Sequence, residues 1–196
     1  MAAAVTSKQI DEIEKVPYEH VRENLRMGDL VFCSGTYFFS GLIQRFTGSV
    51  WSHVGIIYRD DALDRVFILE SETLIGVRIA PLSKYLMDYH GKNRPYKGRM
   101  VIARLHPAPL PEDLKKAICF GMDELTKPYD NWEIARIAMR ILFRIGRRNR
   151  DRKYICSELV YECFRRADIW FKFRKRSISP DDIWNDPRVK QVCRIH

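Results

Sequence analysis

Cys156 stands in KYICSELVYECFRRADI, where Leu159, Val160, Cys163 and Phe164 recur at helical spacing. The thiol therefore falls in or beside the first turn of a helix. That place carries chemistry. A free thiol, with a pKa near ~8.5, is only slightly ionised at neutral pH, and the positive end of a helix dipole favours the thiolate. Backbone N–H groups left unpaired in the same turn can hold the oxyanion formed when a thiolate attacks a carbonyl. The competing reading is a small buried hydrophobe, the usual fate of a free cysteine. Packing suits the other four cysteines better. Cys163 lies two turns along the same helix, Cys119 in an apolar helical stretch and Cys33 at the end of a buried strand pattern, while Cys193 gives no signal.

A cysteine nucleophile needs a base, normally a histidine oriented by a third group. Of the five histidines, His53 is the one in a structured setting, opening the strand pattern of WSHVGIIY. His20 lies in an N-terminal extension, His90 and His106 beside turn signals, and His196 ends the chain. The neighbouring run VFILESET offers the third group. Alternation puts Val66, Ile68, Glu70 and Glu72 on one face and Phe67, Leu69 and Ser71 on the other. A carboxylate there can accept from an imidazole on the paired strand. Parity alone does not separate Glu70 from Glu72.

The elements that must position these groups follow from the same patterns. Residues 7–25, with Pro17 in their midst, read as a helical N-terminal extension, leaving a division into residues 1–26 and a main domain of residues 27–196. Met27-Gly28-Asp29 makes a turn into a strand from Leu30 to Cys33, and residues 37–47 read as a helix. Three β-rich runs, His53–Arg59, Arg65–Ser71 and Gly76–Ala80, are separated by turn signals and predict an antiparallel meander. A helix over Leu82–Tyr89, a strand over Arg99–Leu105 and helices near 112–125, 131–146 and 156–168 come next. Ser179-Pro180-Asp181-Asp182 caps a last short helix. Strands early and helices late make an α+β fold, not a βαβ alternation.

Composition removes several classes of function. A chain of 196 residues is one domain by size, large enough to fold without disulfides or a structural metal. Its apolar share of 46% argues against wholesale disorder. No apolar run is long enough to span a bilayer, and the opening residues lack the layout of a signal peptide. The expected location is cytoplasmic. The five cysteines form neither a C-x2-C pair nor a zinc-type cluster with histidine, so neither metal nor other cofactor is expected.

Taken together these segments resemble the permuted branch of the NlpC/P60 (papain-like) thiol hydrolases, the YiiX/YebB-like group. The resemblance rests on GDLVF (Gly28–Phe32), WSHVGII (Trp51–Ile57), FILES (Phe67–Ser71), KPYDN (Lys127–Asn131), YICSELV (Tyr154–Val160) and ISPDDI (Ile178–Ile183). They occur in the family's order across most of the chain. The resemblance implies a circularly permuted papain-like core, a small barrel-like antiparallel sheet packed with helices, with the histidine strand ahead of the cysteine helix. It implies Cys156 as nucleophile, His53 as general base and Glu70, directly after the apolar strand, as the residue orienting His53. Trp51 and Tyr154 flank these positions as candidate substrate contacts.

The implied chemistry is cleavage of an amide or ester, in a peptide, amino-acid amide or lipid-like acyl substrate, through an acyl-thioester passed to water or another acceptor. Basic residues exceed acidic ones, 34 against 25, giving +9, and some of that excess is concentrated. In EIARIAMRILFRIGRR, Arg136, Arg140 and Arg144 recur beside an apolar stripe, and Arg147 and Arg148 follow. Such a face suits peripheral contact with anionic lipid. The rival function is a non-catalytic module for anionic lipid on a degenerate hydrolase fold. Nucleic acid is a weaker alternative, because the basic runs contain no recognition motif.

Overall fold

The computed structural model describes residues 5–35, 49–72, 75–125, 156–173 and 178–196. The expected helices at 37–47 and 131–146, Tyr154 and the arginines from Arg136 to Arg148 lie outside them. In chain order the elements are α1 (Ser7–Asp11), β1 (Lys15–Val16), α2 (Tyr18–Val21), β2 (Leu30–Gly35), β3 (His53–Asp60), β4 (Arg65–Glu72) and β5 (Gly76–Pro81). There follow α3 (Leu82–Met87), β6 (Gly98–Leu105), α4 (Pro111–Asp123), α5 (Cys156–Arg166), α6 (Pro180–Trp184) and β7 (Val189–Ile195). The class is α+β.

Seven strands form one sheet in the order β1-β7-β6-β2-β3-β4-β5. Every pair is antiparallel except β1 with β7. Among the described residues β1 and β5 end this order without pairing with each other. The meander β3-β4-β5 matches the sequence expectation. Strand β7 had no counterpart in the sequence reading. The segment expected as a helical extension instead alternates short helices with β1, and its Ile10, Ile13, Tyr18, Val21 and Leu25 are buried.

Alternation along the strands supplies two cores. One face carries Leu30, Phe32, Val54, Ile56, Leu69 and Val101 against Ala117 and Ile118 of α4 and Leu159, Val160, Cys163 and Phe164 of α5. The other carries Val31, Cys33, Ile57, Ile68 and Ile102 against Leu82 and Tyr85 of α3. Helix α5 thus buries the stripe read from its sequence, with Glu158 in its first turn and Arg165 and Arg166 in its last, the favourable ends of its dipole.

Two glycines mark places where the backbone leaves no choice. Gly28 turns into β2 at φ +87, where a side chain is strained, and a methyl there would lie 2.4 Å from Leu114 Cδ2. Gly98 sits opposite Gly35 in the β2/β6 ladder. A methyl at Gly98 would meet the Ser34 carbonyl oxygen at 2.4 Å and Gly35 Cα at 2.9 Å. Backbone atoms within a ladder yield little. Gly98→Ala is expected to destabilise the fold by about 1–3 kcal/mol, read as a lower urea midpoint with an unchanged slope.

Candidate active site

His53 opens β3 in register with Cys33 of β2. Ser52 pins this strand start. Its hydroxyl donates to the Cys33 carbonyl at 3.1 Å and accepts from the Gly35 N–H at 3.1 Å. One residue earlier, Trp51 is fully buried, its ring 5.4 Å from Phe32 and 4.7 Å from Trp184. Among the described residues Trp51 is thus a core ring that anchors the loop entering β3, and its place as a candidate substrate contact is not supported by an exposed face.

Glu70 lies on β4 with no exposed side-chain surface, and hydrogen bonds from three side chains converge on it. His53 Nε2 lies 2.6 Å from Oε2, and the Tyr85 hydroxyl donates to the same oxygen at 2.5 Å. Arg78 Nε donates to Oε1 at 2.8 Å, and Nη2 of the same guanidinium lies in ion-pair contact with that oxygen at 2.8 Å. Arg78 comes from β5, directly opposite Glu70 in the ladder, and Tyr85 from α3. Burial disfavours the Glu70 charge, but His53, Arg78 and Tyr85 outweigh it and hold the carboxyl down at about 2. Glu72 stands further along the hairpin, opposite Gly76, and among the described residues it makes no hydrogen bond to His53. The choice that parity left open falls to Glu70 by geometry.

Cys156 is the first residue of α5 and is buried, with its side chain in hydrogen-bonding contact with His53. Since Glu70 occupies Nε2, the ring nitrogen left for the thiol is Nδ1. Burial pulls His53 towards neutrality, but the Cys156 sulfur and the Glu70 carboxylate outweigh it and push the imidazole up to about 10. The His53 side chain keeps 18% of its surface exposed, so the pair can be reached from solvent.

The start of α5 is tied down from the C-terminal side. The Ser157 hydroxyl donates to the Ile178 carbonyl at 2.6 Å, and Ser179 and Asp182 of the same ISPDDI segment form a capping box on α6. The Ser49 hydroxyl reaches Asp181 Oδ1 at 3.1 Å, which links the loop before β3 to α6. Cys33 also lies beside this cluster. Burial, with the nearby Glu70 carboxylate and Cys156 sulfur, pushes its thiol well up, so Cys33 stays protonated beside the candidate nucleophile.

Sequence reasoning had not found Arg78 or Tyr85. Arg78 had a usable signal, because a three-residue hairpin after Glu72 sets it opposite Glu70. Tyr85 had none, since its helix docks on the sheet through tertiary contacts only.

A helix-start cysteine, a strand histidine and a carboxylate holding its far nitrogen are the parts of a papain-like thiol hydrolase. The chain belongs to the permuted papain-like amidases of the YaeF/YiiX, C92 family, whose model matches residues 24–193. Among solved structures it is similar to YiiX of Escherichia coli O157:H7, with a TM-score of 0.59 and 20% identity, covering 86% of this chain and 96% of that one. No curated protein sequence matches the chain. The YiiX structure is described as a metalloprotein. Here, among the described residues, no group of three or more histidine, cysteine, aspartate or glutamate side chains could hold a metal ion. The Glu70 oxygens are already engaged by Arg78, Tyr85 and His53, so this donor set does not fit a metal shell. Also among the described residues, no helix is long and apolar enough to cross a membrane.

Proposed function

We propose that the chain hydrolyses, or transfers the acyl group of, an amide or ester through a thioester on Cys156. The contact of the Cys156 thiol with a histidine that Glu70 holds from behind carries this reading. In the resting pair the thiol proton already sits on His53 as the imidazolium, and the Cys156 sulfur attacks the substrate carbonyl carbon. The Cys156 N–H, in the first turn of α5, stabilises the tetrahedral oxyanion. As the C–N or C–O bond breaks, the imidazolium delivers its proton to the leaving amine or alcohol. Water or another acceptor then gives a proton to the now neutral His53 and attacks the thioester, and collapse expels the sulfur and restores the resting pair. Glu70 fixes the ring through Nε2 and offsets the positive charge that His53 carries in the resting pair. No step is routed through a metal.

Peptide-like amides and lipid-like esters are both substrates consistent with this chemistry. The arginine-rich segment beginning at Arg136 favours docking on an anionic surface for the second.

Iodoacetamide labelling mapped by mass spectrometry across about pH 5–9 tests the pair, with exposed Cys119 as the reference thiol. Cys156 is expected to label fastest of the five cysteines near pH 6, despite its burial, and to lose that lead in His53→Ala. If Cys156 never outruns Cys119 in the parent protein, the activated pair is absent and the binding-module reading replaces this one.

A further inference from the structure

A cleft of about 630 Å³ opens at the other end of the sheet from Cys156. Tyr58 lines it from β3, roughly 16 Å along the strand from His53 at about 3.3 Å per residue. Its size is that of a small-molecule site, mostly apolar with a few polar groups. Met27, Leu105, Leu114, Ile118 and Met122 form its apolar walls, between the turn into β2, the end of β6 and one flank of α4.

The charges around this cleft are one-sided. Three cations, Arg26, Arg104 and Lys115, line it with a single carboxylate, Asp29. That carboxylate is spent. It is almost fully buried, accepts from Arg104 Nε at 2.6 Å and Nη2 at 2.8 Å, and also accepts from the Arg26 backbone N–H at 2.9 Å. Among the described residues no ion pair includes the Arg26 or Lys115 side chain, and both are exposed. An apolar hollow with two uncommitted cations at its mouth complements one kind of ligand.

We propose that this cleft binds an organic anion with an apolar body, its carboxylate or phosphate held by Arg26 and Lys115 and its hydrocarbon laid against Leu114, Ile118 and Met122. The site is separate from the Cys156 pair and does not depend on the catalytic reading. Neutral amphiphiles lose the charged contacts, and small inorganic anions lose the apolar ones.

Cys119 lines the same cleft and is exposed, so it reports occupancy directly. The full-length protein is labelled with a maleimide, and modification at Cys119 is followed by mass spectrometry. Dodecanoate, kept below its micelle concentration, is expected to slow that labelling, whereas dodecanol needs about tenfold more for equal protection. The double variant Arg26→Ala/Lys115→Ala should shift the dodecanoate requirement by a similar factor. Leu114→Trp, which fills the hollow, should remove protection while leaving both cations in place. Near-ultraviolet circular dichroism checks that each variant is folded. The same pattern is expected in Cys156→Ala, since the two sites are distinct. Absence of protection by dodecanoate overturns the proposal, and so does equal protection by the alcohol or indifference to the loss of both cations.

Discussion

Cys156→Ala is expected to lower turnover of amide or ester substrates by a factor on the order of a thousand or more while leaving substrate binding in place. The residue adds little to packing beyond a small buried side chain, so the loss should not come from unfolding, and the urea midpoint should stay close to that of the parent. His53→Ala is expected to cost about as much. The double variant should be little worse than either single one, because the thiol and imidazole act as a unit and removing one disables both. Cys156→Ser should not restore activity, since a hydroxyl is a far weaker nucleophile than a thiol in the same place. The decisive measurement is kcat/KM over a panel of aminoacyl anilides and short-chain acyl esters, together with equilibrium binding to each variant. Turnover that persists in Cys156→Ala would sink the thioester mechanism. Binding without turnover in the parent protein would favour a module that has kept the fold and given up the chemistry.

The strands and helices nearest the candidate site were legible because each shows its period locally. β3, β4 and β5 are runs of branched and aromatic residues set apart by turns, and α5 carries an apolar stripe behind Cys156. Ser179 followed by Pro180 read as an N-cap, and the structure contains that cap, completed to a capping box by Asp182. Strand β7 was hidden for a physical reason. Opposite Ile102 and Ala103 its partners are Cys193 and Gln191, so Val192 is an extra residue in a bulge. The bulge shifts the alternation within VKQVCRI and leaves Val192 40% exposed, and no period of two survives for a sequence reading to find. β1 is only two residues long and owes its existence to parallel pairing with β7, a contact between the chain's two ends. At the site, the types of residue were readable and their partners were not. Trp51 looked like a pocket residue because it stands two positions before His53, yet Phe32 and Trp184 enclose it. Glu70 and Glu72 share a face, and only the approach of Arg78 and Tyr85 from other elements distinguishes them.

Those two partners make Glu70 the position where activity and stability should fall together. Glu70→Ala leaves Arg78 facing a buried void and deprives Tyr85 of its acceptor. Removing one member of a buried charged pair is expected to cost about 3–5 kcal/mol. Glu70→Gln is the finer probe, since it keeps volume and some hydrogen bonding but removes the charge. In the parent protein, His53 contributes stability that is complete below its ordinary 6.5 and lost as pH rises through about 10. Glu70 contributes stability that is complete above its ordinary 4.5 and lost as pH falls through about 2. Both contributions are therefore whole between about pH 4.5 and 6.5, and urea unfolding across the pH range should show its plateau there. With glutamine at position 70 the imidazolium loses its counter-ion, and the uncompensated Arg78 cation repels it further. The decline on the alkaline side, which in the parent runs from 6.5 up to about 10, should then shrink as the imidazole titrates closer to 6.5, and the acid dependence owed to Glu70 should vanish. A histidine titration followed by NMR reads the same change directly at the ring. An imidazole that titrates at the same pH in Glu70→Gln as in the parent would mean that the carboxylate does not hold His53 charged. The contact would then be structural alone, and the orienting role would pass to some other group.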